Sequence, residues 1–157
     1  MRSVPSLAAI LALLVALTSC GPKSAAGLTP GPQFRKQLQE ALIQAKPGAI
    51  IEIPEGTHDI DLPLSLAVDN VTLRGKGMAK SVLSFKNQTS GPAGLMVTAN
   101  GFTLEDLAFE DTKGDGVKVK GGDRVIIRRF RSEWTGGPKE TNGAYGIYPV
   151  ECRNVLI

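Results

Sequence analysis

The aromatic residues Trp134, Tyr145 and Tyr148 are the side chains of this sequence best suited to holding a ligand. Trp134 is the only tryptophan, and it opens a Gly- and Thr-containing stretch, 134–143, that reads as a loop. Exposed aromatic rings suit stacking on the faces of sugars, and the charged neighbours suit acidic polysaccharides. We therefore predict a glycan-binding surface made by these three residues. The alternative is that Trp134 only packs the loop onto the domain.

A run of acidic residues offers the best candidate metal site. Asp111 and Asp115 flank a loop-like segment that follows Glu105, Asp106 and Glu110. Calcium prefers several carboxylate and carbonyl oxygens. The segment lacks the EF-hand pattern, and a lysine lies inside it. Chain corners and solvated surface are therefore the favoured interpretation, with Asp111 and Asp115 kept as weak calcium candidates and no other cofactor expected.

The remaining reactive residue types are scarce. His58 is the only histidine, so the sequence shows neither a paired-histidine metal site nor a readable Ser-His-Asp set. His58 follows a turn segment, and a packing role is favoured over that of a catalytic base. No catalytic residue is predicted.

The N-terminus has the pattern of a secretion signal. Arg2 precedes an apolar run that ends in Leu17-Thr18-Ser19-Cys20. These four residues resemble the bacterial lipobox, whose cysteine is lipidated. Because Gly21 rather than Asp follows, the resemblance implies sorting to the outer membrane in a Gram-negative cell, on either its periplasmic or its outer side. Lipidated Cys20 would leave Cys152, the other cysteine, as a small turn or core residue without an intrachain partner.

Composition limits the function classes. The net charge is +3 with the charges interspersed, so a nucleic-acid partner is not expected. Aromatic residues make up only 5% and glycines number 18, which favours short β-segments and turns over a helical bundle.

Residues 1–19 are interpreted as a signal peptide, 20–32 as a flexible tether and 33–157 as one domain.

The domain is predicted to open with a helix and continue as strands. The helix covers 33–46, with Phe34, Leu38 and Leu42 on one apolar stripe. Strand-length segments bounded by turn residues follow at 50–53, 71–74, 82–85, 95–97, 102–109, 117–119, 125–130, 147–150 and 155–157.

These segments repeat along the chain. The same pattern occurs as DNVTLR at 69–74, NGFTLE at 100–105, DRVIIR at 123–128 and RNVLI at 153–157. A second pattern occurs as GLMV at 94–97, GVKV at 116–119 and GIYP at 146–149. A period of twenty-odd residues with several short strands per unit predicts a solenoid, and the leucine-rich pattern is missing.

The sequence resembles the right-handed parallel β-helix repeat family of the pectate-lyase-like superfamily. The resemblance is carried by LQEAL at 38–42, KPGAIIEIPEGT at 46–57 and the repeats, and covers about residues 33–157. It implies an all-β parallel β-helix whose first coil is capped by the opening helix. The chain stops inside a strand at Ile157, so we expect the C-terminal coils to be missing.

The period-two alternation predicts one corner in each coil. It slips at Glu105-Asp106 and again at Arg128-Arg129, which marks bends between inward-facing strands, and Asp106 suits such a corner. Stacking of the repeats would place Arg74, Glu105 and Arg128 in one outward column, with each ion pair contributing ~0.2–1 kcal/mol.

Two functions fit these observations. The first is a membrane-anchored envelope lipoprotein that binds or processes polysaccharide; an enzyme of this kind would be a lyase, a hydrolase or an epimerase. The second is a non-catalytic structural or interaction lipoprotein of the envelope, which the lack of polygalacturonase-type and epimerase-type motifs slightly favours.

Overall fold

The computed structural model describes residues 27–157, which form one helix and eleven strands. The predicted signal peptide, Cys20 and most of the predicted tether lie outside these residues. Helix α1 runs over Phe34–Gln44. The strands are β1 Ile50–Glu52, β2 Gly56–Asp59, β3 Leu64–Leu66, β4 Thr72–Arg74, β5 Ser81–Ser84, β6 Ala93–Val97, β7 Thr103–Glu110, β8 Asp115–Lys120, β9 Asp123–Glu133, β10 Ile147–Val150 and β11 Arg153–Leu156.

The strands wind into a three-sided tube in which every strand pairing is parallel. The first face holds β1, β4, the first halves of β7 and β9, and β11. The second face holds β2, β5 and the second halves of β7 and β9. The third face holds β3, β6, β8 and β10. This architecture confirms the predicted all-β parallel β-helix with an N-terminal helix.

The register confirms the alignment of the repeats. Thr72, Thr103 and Ile126 are neighbours across the first face, which stacks Val71, Phe102 and Val125 over one another inside the tube. Val117 lies between Leu95 and Ile147 on the third face. The second sequence pattern therefore forms a second column.

Corners of the tube are made by residues in the left-handed region. Asp106 has φ 57° and Arg129 has φ 48°, and each bends its strand from the first face to the second. At the entry to the first face, the same conformation recurs once per coil in Gly48, Asn70, Gly101, Arg124 and Asn154. Glycine, Asn and Asp adopt this conformation at low cost, whereas Arg does so less readily. Position in the stack therefore overrides residue preference at Arg124 and Arg129.

Two strands were not predicted. β2 covers Gly56–Asp59 and β3 covers Leu64–Leu66, where Gly, Asp and Pro favour a turn. Each strand pairs only with the next coil, β2 with β5 and β3 with β6. Their extended conformation is therefore imposed by partners that are distant in sequence.

The helix closes one end of the core. Phe34, Leu38 and Leu42 are buried, as predicted from the apolar stripe. The helix is shorter than the predicted 33–46, because Ala45 is already extended and Pro47 disfavours helical angles at the residue before it. It is too short to cross a membrane, and no other helix occurs among residues 27–157.

The last residues of the predicted tether, 20–32, contact the domain. Leu28 packs against the core, and the backbone N–H of Thr29 donates to the Gln37 side chain at 2.9 Å. The last residues of this segment are therefore attached to the domain.

The predicted charge column is present, but its central residue is buried. Arg74 Nε donates to Glu105 Oε1 at 2.6 Å, and Arg128 Nε donates to Glu105 Oε2 at 2.7 Å. The Glu105 side chain is only 3% exposed, because the two arginines cover it from the adjacent coils. Burial opposes ionisation, but the hydrogen bonds from Arg74 and Arg128 outweigh it and hold the pKa of Glu105 below its ordinary value.

We expect Glu105→Gln to lower the free energy of unfolding at neutral pH by about 1–3 kcal/mol, which exceeds the value expected for an exposed column. Because the folded-state pKa is lowered, the stabilisation is present above the ordinary glutamate pKa and is lost as pH falls through the folded pKa. Urea titrations at several pH values should show that the difference in free energy of unfolding between wild type and variant becomes smaller in acid.

Glu55→Gln is the control. It breaks an ion pair in which both partners are 61% exposed, and it should change the free energy of unfolding little. Equal effects of the two substitutions would contradict the assignment.

Candidate functional site

The longest corner of the tube carries the predicted aromatic loop. Residues 134–146 connect β9 on the second face to β10 on the third. They lie against the corresponding corner of the preceding coil, which spans residues 111–114. A side chain at Gly143 would collide with the carbonyl of Gly114, so the absence of a β-carbon permits this close approach.

Two aspartates hold the ends of this loop. Asp111 accepts hydrogen bonds from the backbone N–H and the hydroxyl of Thr135, both at 2.7 Å. Asp115 accepts one from the backbone N–H of Tyr145 at 3.2 Å. The two weak calcium candidates thus bind opposite ends of the loop. Residues 27–157 contain no group of three or more His, Cys, Asp or Glu side chains placed to hold a metal ion.

Trp134 joins the loop to the tube and lines a cleft. Its indole N–H donates to the carbonyl oxygen of Thr112 at 2.7 Å, and its side chain is half-buried. One part of Trp134 therefore has the packing role considered from the sequence. The cleft beside it has a volume of about 520 Å³, and Lys139 and Asn142 of the loop also line it.

Three lysines from three successive coils line this cleft. Lys86 follows β5, Lys113 lies in the corner between β7 and β8, and Lys139 lies in the long loop. The side chain of Gln88 fixes the first two corners to each other, because its Oε1 accepts the Lys113 backbone N–H at 3.0 Å and its Nε2 donates to the Ala93 carbonyl. Stacking of coils therefore brings these cations to one place.

The two tyrosines lie apart from the cleft, on the third face. Tyr145 and Tyr148 stack on each other with 4.6 Å between ring centroids. The ammonium of Lys118 lies 4.9 Å from the centroid of the Tyr148 ring, because Lys118 and Tyr148 are register partners on adjacent strands. Tyr145 remains 50% exposed. The exposed Tyr145 and the half-buried Tyr148 form an aromatic surface that ends beside a cation.

The candidate site thus has two parts that one loop connects. Trp134 begins the loop at the cleft, and the tyrosine pair ends it on the third face. Sequence reasoning found these aromatic residues but missed Lys86, Lys113 and Lys139. Their spacing of roughly one repeat was a usable signal, but only after the corners had been aligned.

The other reactive residues take structural positions. His58 is buried, its ring stacks on Phe34 at 3.9 Å between centroids, and its Nε2 lies 3.1 Å from the carbonyl oxygen of Pro54. Cys152 is half-buried, with its sulfur 3.4 Å from the carbonyl oxygen of Val119. Both positions match the packing roles favoured from the sequence.

Comparison with known proteins defines the class of fold. No family model and no curated protein matches the chain. Among solved structures, the chain is similar to a pectin methylesterase mutant crystallised in complex with a hexasaccharide, with a TM-score of 0.50 and 17% sequence identity. The similarity covers 75% of this chain and 44% of that chain, so this chain spans less than half of that protein's length. At this identity the likeness shows the fold alone, which is the right-handed parallel β-helix.

We expect Asp111→Asn to loosen the 134–146 loop. Asn accepts the left-handed backbone conformation that Asp111 has, at φ 59°, but it cannot accept both hydrogen bonds from Thr135 equally well. Loss of about 1 kcal/mol of docking energy would raise tryptic cleavage after Lys139 about fivefold under conditions where local opening controls cleavage. Mass spectrometry of the timed digest measures that bond directly.

Thr135→Val is the matched control, since it removes only the hydroxyl and keeps the backbone N–H bond. Its cleavage rate should fall between wild type and Asp111→Asn. Equal rates for all three proteins would show that this carboxylate does not hold the loop.

Proposed function

We propose that this protein is a lipid-anchored envelope lipoprotein whose β-helix binds polysaccharide across the 134–146 corner and the adjoining third face. The observation that carries the proposal is the Tyr145–Tyr148 stack, in which Tyr145 is exposed and which the same loop connects to the Trp134 cleft. Aromatic surfaces of this kind suit the apolar faces of sugar rings, and the nearby polar groups suit their hydroxyls.

The architecture supports a ligand of extended shape. Parallel coils rise by roughly 4.8 Å each, so an outer face presents a straight, regular array of side chains. The outward column Ser65, Met96, Lys118 and Tyr148 crosses the whole third face. The structural neighbour was crystallised with a hexasaccharide, which is consistent with an oligosaccharide ligand for this fold.

The proposed location follows from the N-terminal sequence. Lipid on Cys20 would hold the chain at the outer membrane, and the residues between Cys20 and Leu28 would give the domain room to reach a glycan. Residues 1–26 lie outside the part of the chain that the structure describes.

We expect Tyr145→Ala and Tyr148→Ala each to weaken polysaccharide binding about fivefold to tenfold, because each removes one ring of the stacked surface. The measurement is a glycan array with the full chain, followed by isothermal titration of the strongest glycan. Ile43→Ala is the control, since Ile43 is 66% exposed on the capping helix, away from this loop.

Trp134 needs two variants because its indole N–H also holds the loop. Trp134→Ala should weaken binding while the fold is retained, whereas Trp134→Phe should keep the aromatic surface and lose only the N–H bond. Binding by Tyr145→Ala, Tyr148→Ala and Trp134→Ala at the wild-type level would refute the proposed surface. A wild-type chain that binds no glycan would favour the structural lipoprotein instead.

Replacement of Cys20 tests the anchor. We expect Cys20→Ser to release the protein from the membrane fraction, because the thiol that would carry the lipid is gone. Fractionation with intact-mass measurement checks both the location and the lipid. Cys152→Ser is the matched control and should remain in the membrane. Membrane retention of Cys20→Ser would argue against lipidation at this residue.

A further inference from the structure

Two Asn-Gly pairs occur in this sequence, at 100–101 and at 142–143. An asparagine followed by glycine is especially prone to deamidation, because glycine has no side chain to hinder attack by its backbone nitrogen on the asparagine side chain. The first pair lies at the entry to the first face, and the second lies in the 134–146 loop. The two pairs have the same local chemistry, so the surrounding structure decides which of them reacts.

The pair Asn100-Gly101 is fixed by hydrogen bonds to both adjacent coils. Asn100 Oδ1 accepts the backbone N–H of Asp123 at 3.0 Å, and Asn100 Nδ2 donates to Asp69 Oδ2 at 3.3 Å. The backbone N–H of Gly101, which carries the attacking nitrogen, donates to the carbonyl oxygen of Asp123 at 2.8 Å. Deamidation requires this N–H to lose its proton and the side chain to rotate towards it, so these bonds must break first.

The pair Asn142-Gly143 is held much less firmly. Asn142 Nδ2 donates to the carbonyl oxygen of Gly137 at 3.0 Å, which is a contact within the same loop. Neither Asn142 Oδ1 nor the backbone N–H of Gly143 has a hydrogen-bond partner within residues 27–157. Asn142 is half-buried, and the flanking Thr141 and Ala144 are exposed to water. Both reacting groups are therefore available in the folded protein.

We infer that Asn142 is a site of spontaneous deamidation in the folded protein. The backbone nitrogen of Gly143 loses its proton to solvent and bonds to the side-chain carbonyl carbon of Asn142. The bond between that carbon and the side-chain nitrogen breaks, and the nitrogen takes a proton from solvent and leaves as ammonia, so that a succinimide ring remains. Water then opens the ring at either carbonyl, which gives aspartate or isoaspartate. Water is the only co-reactant in this sequence of steps.

The reaction changes the loop in which it occurs. Either product replaces the amide donor with a carboxylate, so the hydrogen bond to the Gly137 carbonyl is lost. Isoaspartate also adds a methylene group to the main chain immediately before Gly143, which lies so close to the Gly114 carbonyl that a β-carbon would collide with it. The longer main chain disfavours the docking of both loop ends on Asp111 and Asp115. Deamidation would thus release the loop from the preceding coil, whether or not a glycan binds there.

The rate experiment uses the Asn100 pair as an internal control. The full chain is aged in warm neutral buffer and digested briefly, and the tryptic peptides 87–113 and 140–153 contain Asn100 and Asn142 respectively. Fragmentation by mass spectrometry distinguishes asparagine, aspartate and isoaspartate at each position. We expect Asn142 to convert at least about tenfold faster than Asn100, because the bonds around Asn100 must open first. In urea, where the chain is unfolded, the two residues should convert at similar rates.

The variant experiment tests the effect on the loop. Asn142→Gln keeps the amide donor, but its longer side chain would have to close a larger ring, so its conversion should be slow. Native wild type and variant are aged together and then treated with trypsin. Aged wild type should be cleaved after Lys139 about fivefold faster than fresh wild type, because the docked state of the loop has been weakened. The aged variant should be cleaved at the rate of the fresh variant.

Three results would contradict the inference. Similar conversion of Asn100 and Asn142 in the folded chain would show that the structure does not select the site. An unmodified Asn142 in a folded chain whose unfolded form reacts would show that the loop protects it. Equal acceleration of cleavage in aged wild type and aged Asn142→Gln would show that a different change opens the loop.

Discussion

Stacking of parallel coils in register is the constraint on which this structure depends. Each backbone hydrogen bond between coils joins residues that are one repeat apart, so an inward residue in one coil must meet an inward residue in the next. Left-handed corner residues maintain this agreement by turning the chain at the same point in every coil. The buried column of Val71, Phe102 and Val125 and the covered Glu105 both follow from that alignment.

The same constraint creates the candidate site. A corner tolerates inserted residues because only its two ends must rejoin the faces, and the 134–146 loop uses this freedom between β9 and β10. Asp111 and Asp115 then fix the ends of the loop to the preceding coil, which contains β7 and β8. Lys86, Lys113 and Lys139 line one cleft although they belong to three coils, because the corners stack on one another as the strands do. The tube holds the inserted loop at its two ends, and the loop and the adjacent corners position the aromatic and cationic groups.

Charge is used in two ways on one scaffold. On the first two faces, acidic and basic side chains of adjacent coils neutralise one another, and the Glu105 column shows that such a pair can become almost fully buried. At the second-to-third corner the aspartates bind backbone and hydroxyl groups instead, which leaves the lysines without ionic partners in residues 27–157. The same residue types thus form ion pairs on the first two faces and lie without ionic partners at this corner, where we propose that a ligand binds.

The sequence by itself determined the class of fold, because alternation, turn residues and period are local properties of the chain. It also identified the Asp106 bend, the capping stripe of Phe34, Leu38 and Leu42, and the order of charges at Arg74, Glu105 and Arg128. Only the tertiary structure decided that β2 and β3 are strands, that Glu105 is covered, and that the calcium candidates hold a loop. It also separated Trp134 from the tyrosine pair and gathered the three cleft lysines. These features depend on contacts between coils. No local sequence pattern predicts the geometry of those contacts where a corner contains inserted residues.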